Sequence, residues 1–234
     1  MPTLFLKVHS SGLYKRKLEP NDPSQPWICE IAADLRDDSG KRIRGGFICI
    51  RIRAQVQIGA ITQERSVELK AEAIHGISTK MARSGGVDET PALGSLIGLW
   101  SMANVLVGHG IDFDWDIVNS LIARKNAPKA AQAWRNRPLT RRVCTMKAAM
   151  IPCNIPHPDE ADTLKYPTLD EAAFHLCQIP PWEGFRDAWE DCQRSAAVYY
   201  RLLQMGLLQS DSSPSEPLPE DPAFGYQAAS EYGI

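Results

Sequence analysis

Apolar positions near the amino terminus recur in short runs that predict three β-strands. The first run, Leu4 to Val8, is interrupted by Lys7 and ends at the turn signal Ser10-Ser11-Gly12. Two further runs span residues 27–35 and 46–54. Isoleucines alternate with other residues in the third run, which places them on one face of a strand. The turn between the second and third runs predicts that these two strands pair as an antiparallel hairpin.

Helix signals dominate the middle of the chain, around one more apolar strand. Thr90-Pro91 predicts the N-cap and first residue of a helix over 92–103. Residues 105–109 predict a short buried strand. Asp112 then predicts the cap of a second helix, over 113–124.

The carboxyl-terminal part adds two helices and completes the predicted fold class. Thr168 and Glu171 have the spacing of a capping box, which opens a helix that runs to about residue 176. Apolar residues at helical spacing predict a last helix over 188–207. The order of elements predicts an α/β fold in which helices flank a mixed sheet whose first three strands are antiparallel.

Composition limits the class of protein. With 234 residues and 44% hydrophobic content, the chain can bury the core of one domain, predicted over 1–208. No apolar run is long enough to span a membrane. The opening residues lack the apolar run of a signal peptide. The six cysteines have no metal-site spacing and suggest reduced thiols, so we expect a cytoplasmic protein.

The net charge of −2 hides two segments of opposite character. Residues 117–158 contain no acidic residue, and this basic segment predicts a surface that follows nucleic-acid phosphates, with Trp134 as a base-stacking ring. The alternative is a solvated helical face with Trp134 packed on the body. Residues 209–234 contain acids and prolines but no Lys or Arg, which predicts a disordered acidic tail. The candidate nucleic-acid contacts are Arg124, Lys125, Lys129, Trp134, Arg135, Arg137, Arg141 and Arg142.

Six short motifs, in order, resemble the DnaQ-like 3′–5′ exonucleases of the ribonuclease H-like superfamily, in the group named DEDDh. They are Leu4–Leu13, Trp27–Ala33, Ile74–Ile77, Leu106–Asp114, Tyr166–Leu176 and Phe185–Asp191. One of them, Val-Gly-His-Gly-Ile-Asp-Phe-Asp at 107–114, is similar to the Val-x-His-Asn-x-x-Phe-Asp of that family, and the order of all six carries the resemblance. The resemblance covers roughly residues 4–207 and implies a ribonuclease H-like fold.

The resemblance also implies five catalytic positions, of which this chain keeps two. Family members use four carboxylates to hold two metal ions, and a histidine to take a proton from the attacking water. Asp114 and Asp191 match two of those carboxylates. Lys7 and His9 stand where the family has the other two, and Arg186 stands where it has the histidine. If the chain is active, Asp114 and Asp191 would ligate Mg²⁺ or Mn²⁺.

The three replacements oppose metal-dependent hydrolysis. Lys7 brings a positive charge instead of a ligand, and Arg186 stays protonated at working pH. His9 is a poor ligand for Mg²⁺. We therefore expect a site with no metal, in which Lys7 and Arg186 neutralise Asp114 and Asp191. Nearby acids that could compensate are Glu30, Asp112, Asp116, Asp187 and Glu190.

Three functions stay open at this point. The first is a catalytically inactive or strongly impaired exonuclease-fold protein that binds nucleic acid, at a single strand or 3′ end, or serves as a subunit of a nucleoprotein complex. The second is a divergent, active, metal-dependent 3′–5′ exonuclease. The third is a protein-interaction scaffold that uses the acidic tail.

Overall fold

A five-stranded sheet forms the centre of the molecule in the computed structural model, which describes residues 1–58, 61–135, 141–160 and 162–208. The sheet has the order β3-β2-β1-β6-β7, and β1 pairs antiparallel with β2 but parallel with β6. A separate hairpin consists of β4 and β5. The strands are β1 (Thr3–Ser10), β2 (Ile28–Arg36), β3 (Arg42–Arg51), β4 (Gln55–Ile58), β5 (Ile61–Glu64), β6 (Val105–Gly108) and β7 (Arg141–Cys144).

Helices cover both faces of the sheet because β1 is apolar on both of its faces. Leu4, Leu6 and Val8 pack in the larger core cluster together with residues of α3 and α4. Phe5, on the opposite face, packs against α8. The helices are α1 (Leu69–His75), α2 (Thr79–Ser84), α3 (Glu89–Met102), α4 (Ile111–Arg124), α5 (Pro128–Arg135), α6 (Thr145–Cys153), α7 (Leu169–Cys177) and α8 (Ala188–Gln204).

Two helix starts differ from the sequence predictions. Helix α3 begins at Glu89 after the N-cap Asp88, so Thr90-Pro91 lies inside its first turn. Helix α4 begins at Ile111, and its N-cap is Gly110 with a φ of 76°. A glycine adopts this left-handed conformation without a steric penalty, so the chain can turn directly from β6 into α4. Asp112 therefore lies within α4 and does not cap it.

The predictions from composition concern the cysteines, membrane spans and the acidic tail. All six cysteines are free thiols. No helix among the residues described above has the length and apolarity that a membrane crossing requires. The predicted acidic tail, 209–234, lies outside the described residues, as does Arg137.

A buried ion cluster ties α3 to the neighbouring segments. Glu89 contacts Arg65, and its other carboxylate oxygen lies 3.0 Å from Lys125 Nζ. Burial alone would raise the pKa of Glu89, but Arg65 and Lys125 outweigh it and hold that pKa below the ordinary 4.5. The stabilisation is therefore complete above pH 4.5 and is lost as the pH falls further.

We expect Glu89→Gln to lower the free energy of unfolding by about 1.5–3 kcal/mol at pH 7. Because the variant lacks the titrating carboxylate, its stability should fall less steeply than that of the wild type below pH 4.5. Urea denaturation across a pH series measures both effects. Replacement of the exposed Glu183 by Gln is the control. Parallel pH profiles for wild type and Glu89→Gln would contradict this role.

Candidate functional site

A cleft of about 170 Å³ opens at the carboxyl end of β1. Lys7 and His9 both line it, because residues two apart on a strand point to the same face. Strand β6 runs parallel to β1, so α4, which follows β6, starts at the same edge of the sheet. Asp191, in the first turn of α8, and Arg186, just before α8, complete the polar part of the cleft.

The structure brings the five residues of the resemblance together. Asp114 is fully buried below the cleft, where its Oδ1 accepts a hydrogen bond from the Val8 N–H at 2.9 Å. Lys7 Nζ lies 3.9 Å from the same oxygen. Burial raises the pKa of Asp114 to about 6, and the nearby Lys7 and the Val8 N–H only partly offset this effect. Asp114 is thus a desolvated carboxylate next to an ammonium group.

His9 lies between two buried carboxylates. Its Nε2 is 3.4 Å from Asp191 Oδ2, and its Nδ1 is 3.5 Å from Glu30 Oε2. These distances are long for hydrogen bonds, so the attraction is mainly electrostatic. Burial lowers the pKa of His9, but Asp191 and Glu30 outweigh burial and the net pKa is raised. The His75 ring stacks on the His9 ring with centroids 5.1 Å apart.

Glu30 lies next to His9 as a buried, hydrogen-bonded glutamate. It is the antiparallel partner of His9, since β2 pairs with β1 in this register. One of its oxygens accepts the Ala188 N–H at 2.9 Å, which fixes the start of α8 beside β2. Arg51 lies 3.5 Å from the other oxygen. Burial raises the pKa of Glu30, but His9 and the Ala188 N–H outweigh it and the net pKa is lowered.

Arg186 is held by two acids. It hydrogen-bonds Asp170 on α7, and its Nη1 lies 3.7 Å from Asp191 Oδ1. Asp170 also accepts a hydrogen bond from Arg194 at 3.2 Å. Asp170 was not predicted from the sequence, because no motif marks a residue whose role is to hold an arginine. Burial raises the pKa of Asp191, but His9, Lys7 and Arg186 together lower it.

The other candidate acids do not extend the site. Asp112 pairs with Lys147 at 3.0 Å and lies 3.7 Å from Arg142. Asp187 is the N-cap of α8 and accepts the Glu190 N–H. Glu190 itself lies 3.4 Å from Arg194. Asp116 lies half-buried on α4 beyond Asp114.

These residues do not fit the pair of metal ions that the resemblance implies. Within the described part of the chain, no three His, Cys, Asp or Glu side chains group as metal ligands. An ammonium and a guanidinium group stand within 4 Å of the retained carboxylates Asp114 and Asp191. A metal ion bound by either carboxylate would therefore stand close to a positively charged side chain. Two unit charges about 4 Å apart interact by roughly 4 kcal/mol when the effective dielectric is about 20, so this repulsion would oppose a divalent cation.

The basic segment is only partly available as a surface. Trp134 is fully buried, stacks on Trp115 and contacts Trp100, so the prediction of a base-stacking ring is wrong. Arg124 donates to the backbone carbonyl of Pro26 at 3.2 Å, and Lys125 pairs with Glu89. The exposed members among the described residues are Lys129, Arg135 and Arg142, while Arg141 is half-buried.

The comparisons with known proteins support the fold. No family model matches the chain, and neither does any curated protein. Among solved structures, E. coli exonuclease I in complex with a dA16 oligonucleotide matches at 18% identity and a TM-score of 0.61, over 88% of this chain and 42% of that chain. A product-bound exonuclease I also matches at 18% and 0.61, over 88% of this chain and 44% of that one.

The chain therefore spans less than half the length of these proteins. The likeness confirms the predicted fold class, an α/β fold in which helices flank a mixed sheet, and this fold is similar to that of exonuclease I.

Proposed function

We propose that this protein binds nucleic acid through an exonuclease fold and that its cleft is catalytically inactive or strongly impaired. One observation carries the proposal: the Lys7 ammonium and the Arg186 guanidinium lie 3.9 and 3.7 Å from the two retained carboxylates. These cations neutralise Asp114 and Asp191 without a metal ion. A protonated arginine at position 186 is no acceptor for a proton from water.

The fold neighbours support nucleic acid as the ligand, because exonuclease I structures contain oligonucleotides. The ligand in this proposal is a single strand or a 3′ end, bound by the protein alone or within a larger nucleoprotein complex. A cytoplasmic location belongs to the same proposal and rests on the six free thiols.

A divergent metal-dependent 3′–5′ exonuclease is the second candidate, and one observation favours it. Asp114 Oδ2 and Asp191 Oδ1 are buried, and neither receives a hydrogen bond from any residue that the structure describes. Such oxygens are suitable ligands for one hard cation such as Mg²⁺ or Mn²⁺. The two candidates therefore differ in whether these two carboxylates bind a metal or are neutralised by Lys7 and Arg186 alone.

Two measurements distinguish the inactive binding protein from the active exonuclease. They are calorimetric titration with Mg²⁺ and Mn²⁺ and a degradation assay on an end-labelled single strand. The proposal expects no specific metal binding, and no strand shortening that depends on metal. Asp191→Asn is the control for any activity that appears, because a contaminating nuclease would not respond to this change. Metal binding together with degradation that Asp191→Asn abolishes would establish the second candidate.

The basic segment supplies a separate prediction about binding. Changing Arg135, Arg137, Arg141 and Arg142 to Ala should flatten the slope of log affinity against log salt by up to about 3 units, since each phosphate contact on a single strand contributes ~0.7. Fluorescence anisotropy over a salt series measures the slope, and circular dichroism checks the fold. An unchanged slope in the folded variant would assign the segment to a protein partner or to solubility.

A further inference from the structure

The cleft presents Lys7 and Arg186 to solvent and keeps Asp114, Asp191 and Glu30 behind them, while the exposed Glu68 and Lys70 also line it as a pair of opposite charges. The side chains of Lys7 and Arg186 are 21% and 26% exposed, whereas those of Asp191 and Glu30 are at most 7% exposed. Asp114 is fully buried. At this end of β1, a molecule that enters therefore meets Lys7 and Arg186 before the three acids behind them.

The apolar part of the lining suits a nucleoside. Leu13, Ile74, Phe113 and Met146 line the same cleft as Lys7 and Arg186. A lining that combines apolar side chains with two cations matches the two parts of a nucleotide, its base and its phosphate. Lys binds phosphate as a point charge, while Arg offers a fork of N–H donors.

The Arg186 guanidinium is also oriented. Asp170 holds it from one side, and Arg194 in turn holds Asp170. A cation fixed by its neighbours loses little conformational entropy when a ligand arrives. Arg186 is therefore preorganised to bind an anion, unlike a mobile arginine on the surface.

We propose that Lys7 and Arg186 bind a phosphate of the terminal nucleotide directly, so that the cleft holds a nucleic-acid end without a divalent metal. This inference rests on the proposed function and adds the residues, the ligand group and the independence from metal.

The test is binding of a 5′-labelled single strand, measured by anisotropy in EDTA and in Mg²⁺. Wild-type affinity should be nearly the same in both. Lys7→Met and Arg186→Met should each weaken binding by about tenfold to a hundredfold, the usual effect of losing a hydrogen bond from a charged group. Lys80→Met and Arg83→Met remove the same charges from the exposed surface of α2, outside the cleft, and should bind like wild type.

Lys7→Met leaves Asp114 buried without its neighbouring cation, which threatens folding. The double variant Lys7→Met/Asp114→Asn removes both charges together, so the net charge stays the same. The inference expects it to lose affinity as Lys7→Met does. A circular strand of the same sequence should bind more weakly than the linear one, because it has no terminal nucleotide.

The outcomes distinguish a failure of the proposed function from a failure of this inference. A wild-type protein that binds no oligonucleotide overturns the proposed function. A wild-type protein that binds in EDTA, and whose affinity survives both Arg186→Met and the double variant, overturns this inference alone. Binding that EDTA abolishes also overturns the inference and favours the metal-dependent candidate.

Discussion

Replacement of Trp134 by alanine is expected to lower the free energy of unfolding by about 3–5 kcal/mol. Trp134 is fully buried and stacks on Trp115 with ring centroids 4.6 Å apart. Its loss leaves a large cavity between α3, α4 and α5 that small shifts cannot fill. Urea denaturation measures the change. Trp182→Ala, at a position that is 38% exposed, is the control and should cost much less.

The same variant distinguishes a core tryptophan from a base-stacking one. Affinity for a single strand, measured at a temperature where Trp134→Ala is still folded, should stay close to the wild-type value. Loss of about 1–3 kcal/mol of binding free energy with unchanged stability would instead match stacking on a base. That result would contradict the burial described here.

The sequence contained a signal for this burial. Ala130, Ala131 and Trp134 recur at helical spacing, and all three pack in the same core cluster in α5. The one-sided charge of the segment instead predicted an exposed, nucleic-acid-binding surface. Charge composition describes a whole segment, whereas the burial of one side chain depends on its position on a helix.

Elements that carry an apolar run, a regular spacing or a cap signal were predictable, and the others were not. Strands β1, β2, β3 and β6 follow from apolar runs, and α8 follows from apolar spacing. Cap signals indicated α3, α4 and α7, although the start of α3 and of α4 was displaced. Strand β7 spans only Arg141–Cys144 and contains two arginines, so no alternation marks it. The parallel pairing with β6 makes it a strand, and that contact comes from outside the segment. The hairpin of β4 and β5 and helices α1, α2, α5 and α6 were also missed.

The residues of the site could likewise be predicted only in part from the sequence. Motif order placed Lys7, His9 and Asp191 in one region, and the structure brings them together. The position of Glu30 could be known only from the register of β1 against β2, in which Glu30 pairs with His9. The position of Asp170 follows from the packing of α7 beside α8, which no local sequence pattern indicates. The functional roles of all these residues stay predictions.

Introducing the residues that DnaQ-like exonucleases have at these positions should convert the cleft into a metal site. In the triple variant Lys7→Asp, His9→Glu and Arg186→His, two permanent cations disappear and two carboxylates are added next to Asp114, Asp191 and Glu30. Without a metal these acids repel one another, so the variant should melt at a lower temperature than wild type in EDTA. Mg²⁺ or Mn²⁺ should then raise its melting temperature, because a cation bound only by the folded state stabilises it.

Thermal melts in EDTA and in increasing Mg²⁺ measure the gain, and calorimetry gives the affinity. A metal concentration about 100 times the dissociation constant should add about 2.7 kcal/mol to the stability of the variant. Wild type should show no comparable response, since Lys7 and Arg186 oppose the cation. Adding Asp191→Asn to the triple variant is the matched control and should remove most of the response.

Slow degradation of a labelled single strand is the second measurement on this variant. We expect this degradation if the introduced carboxylates hold a metal beside the bound phosphate, because such a metal would activate water for attack. A variant that is folded but gains neither metal-dependent stability nor metal affinity would mean that the backbone at β1 and α8 no longer positions these residues as a metal site. The assignment of Lys7, His9 and Arg186 to the family's catalytic positions would then be wrong.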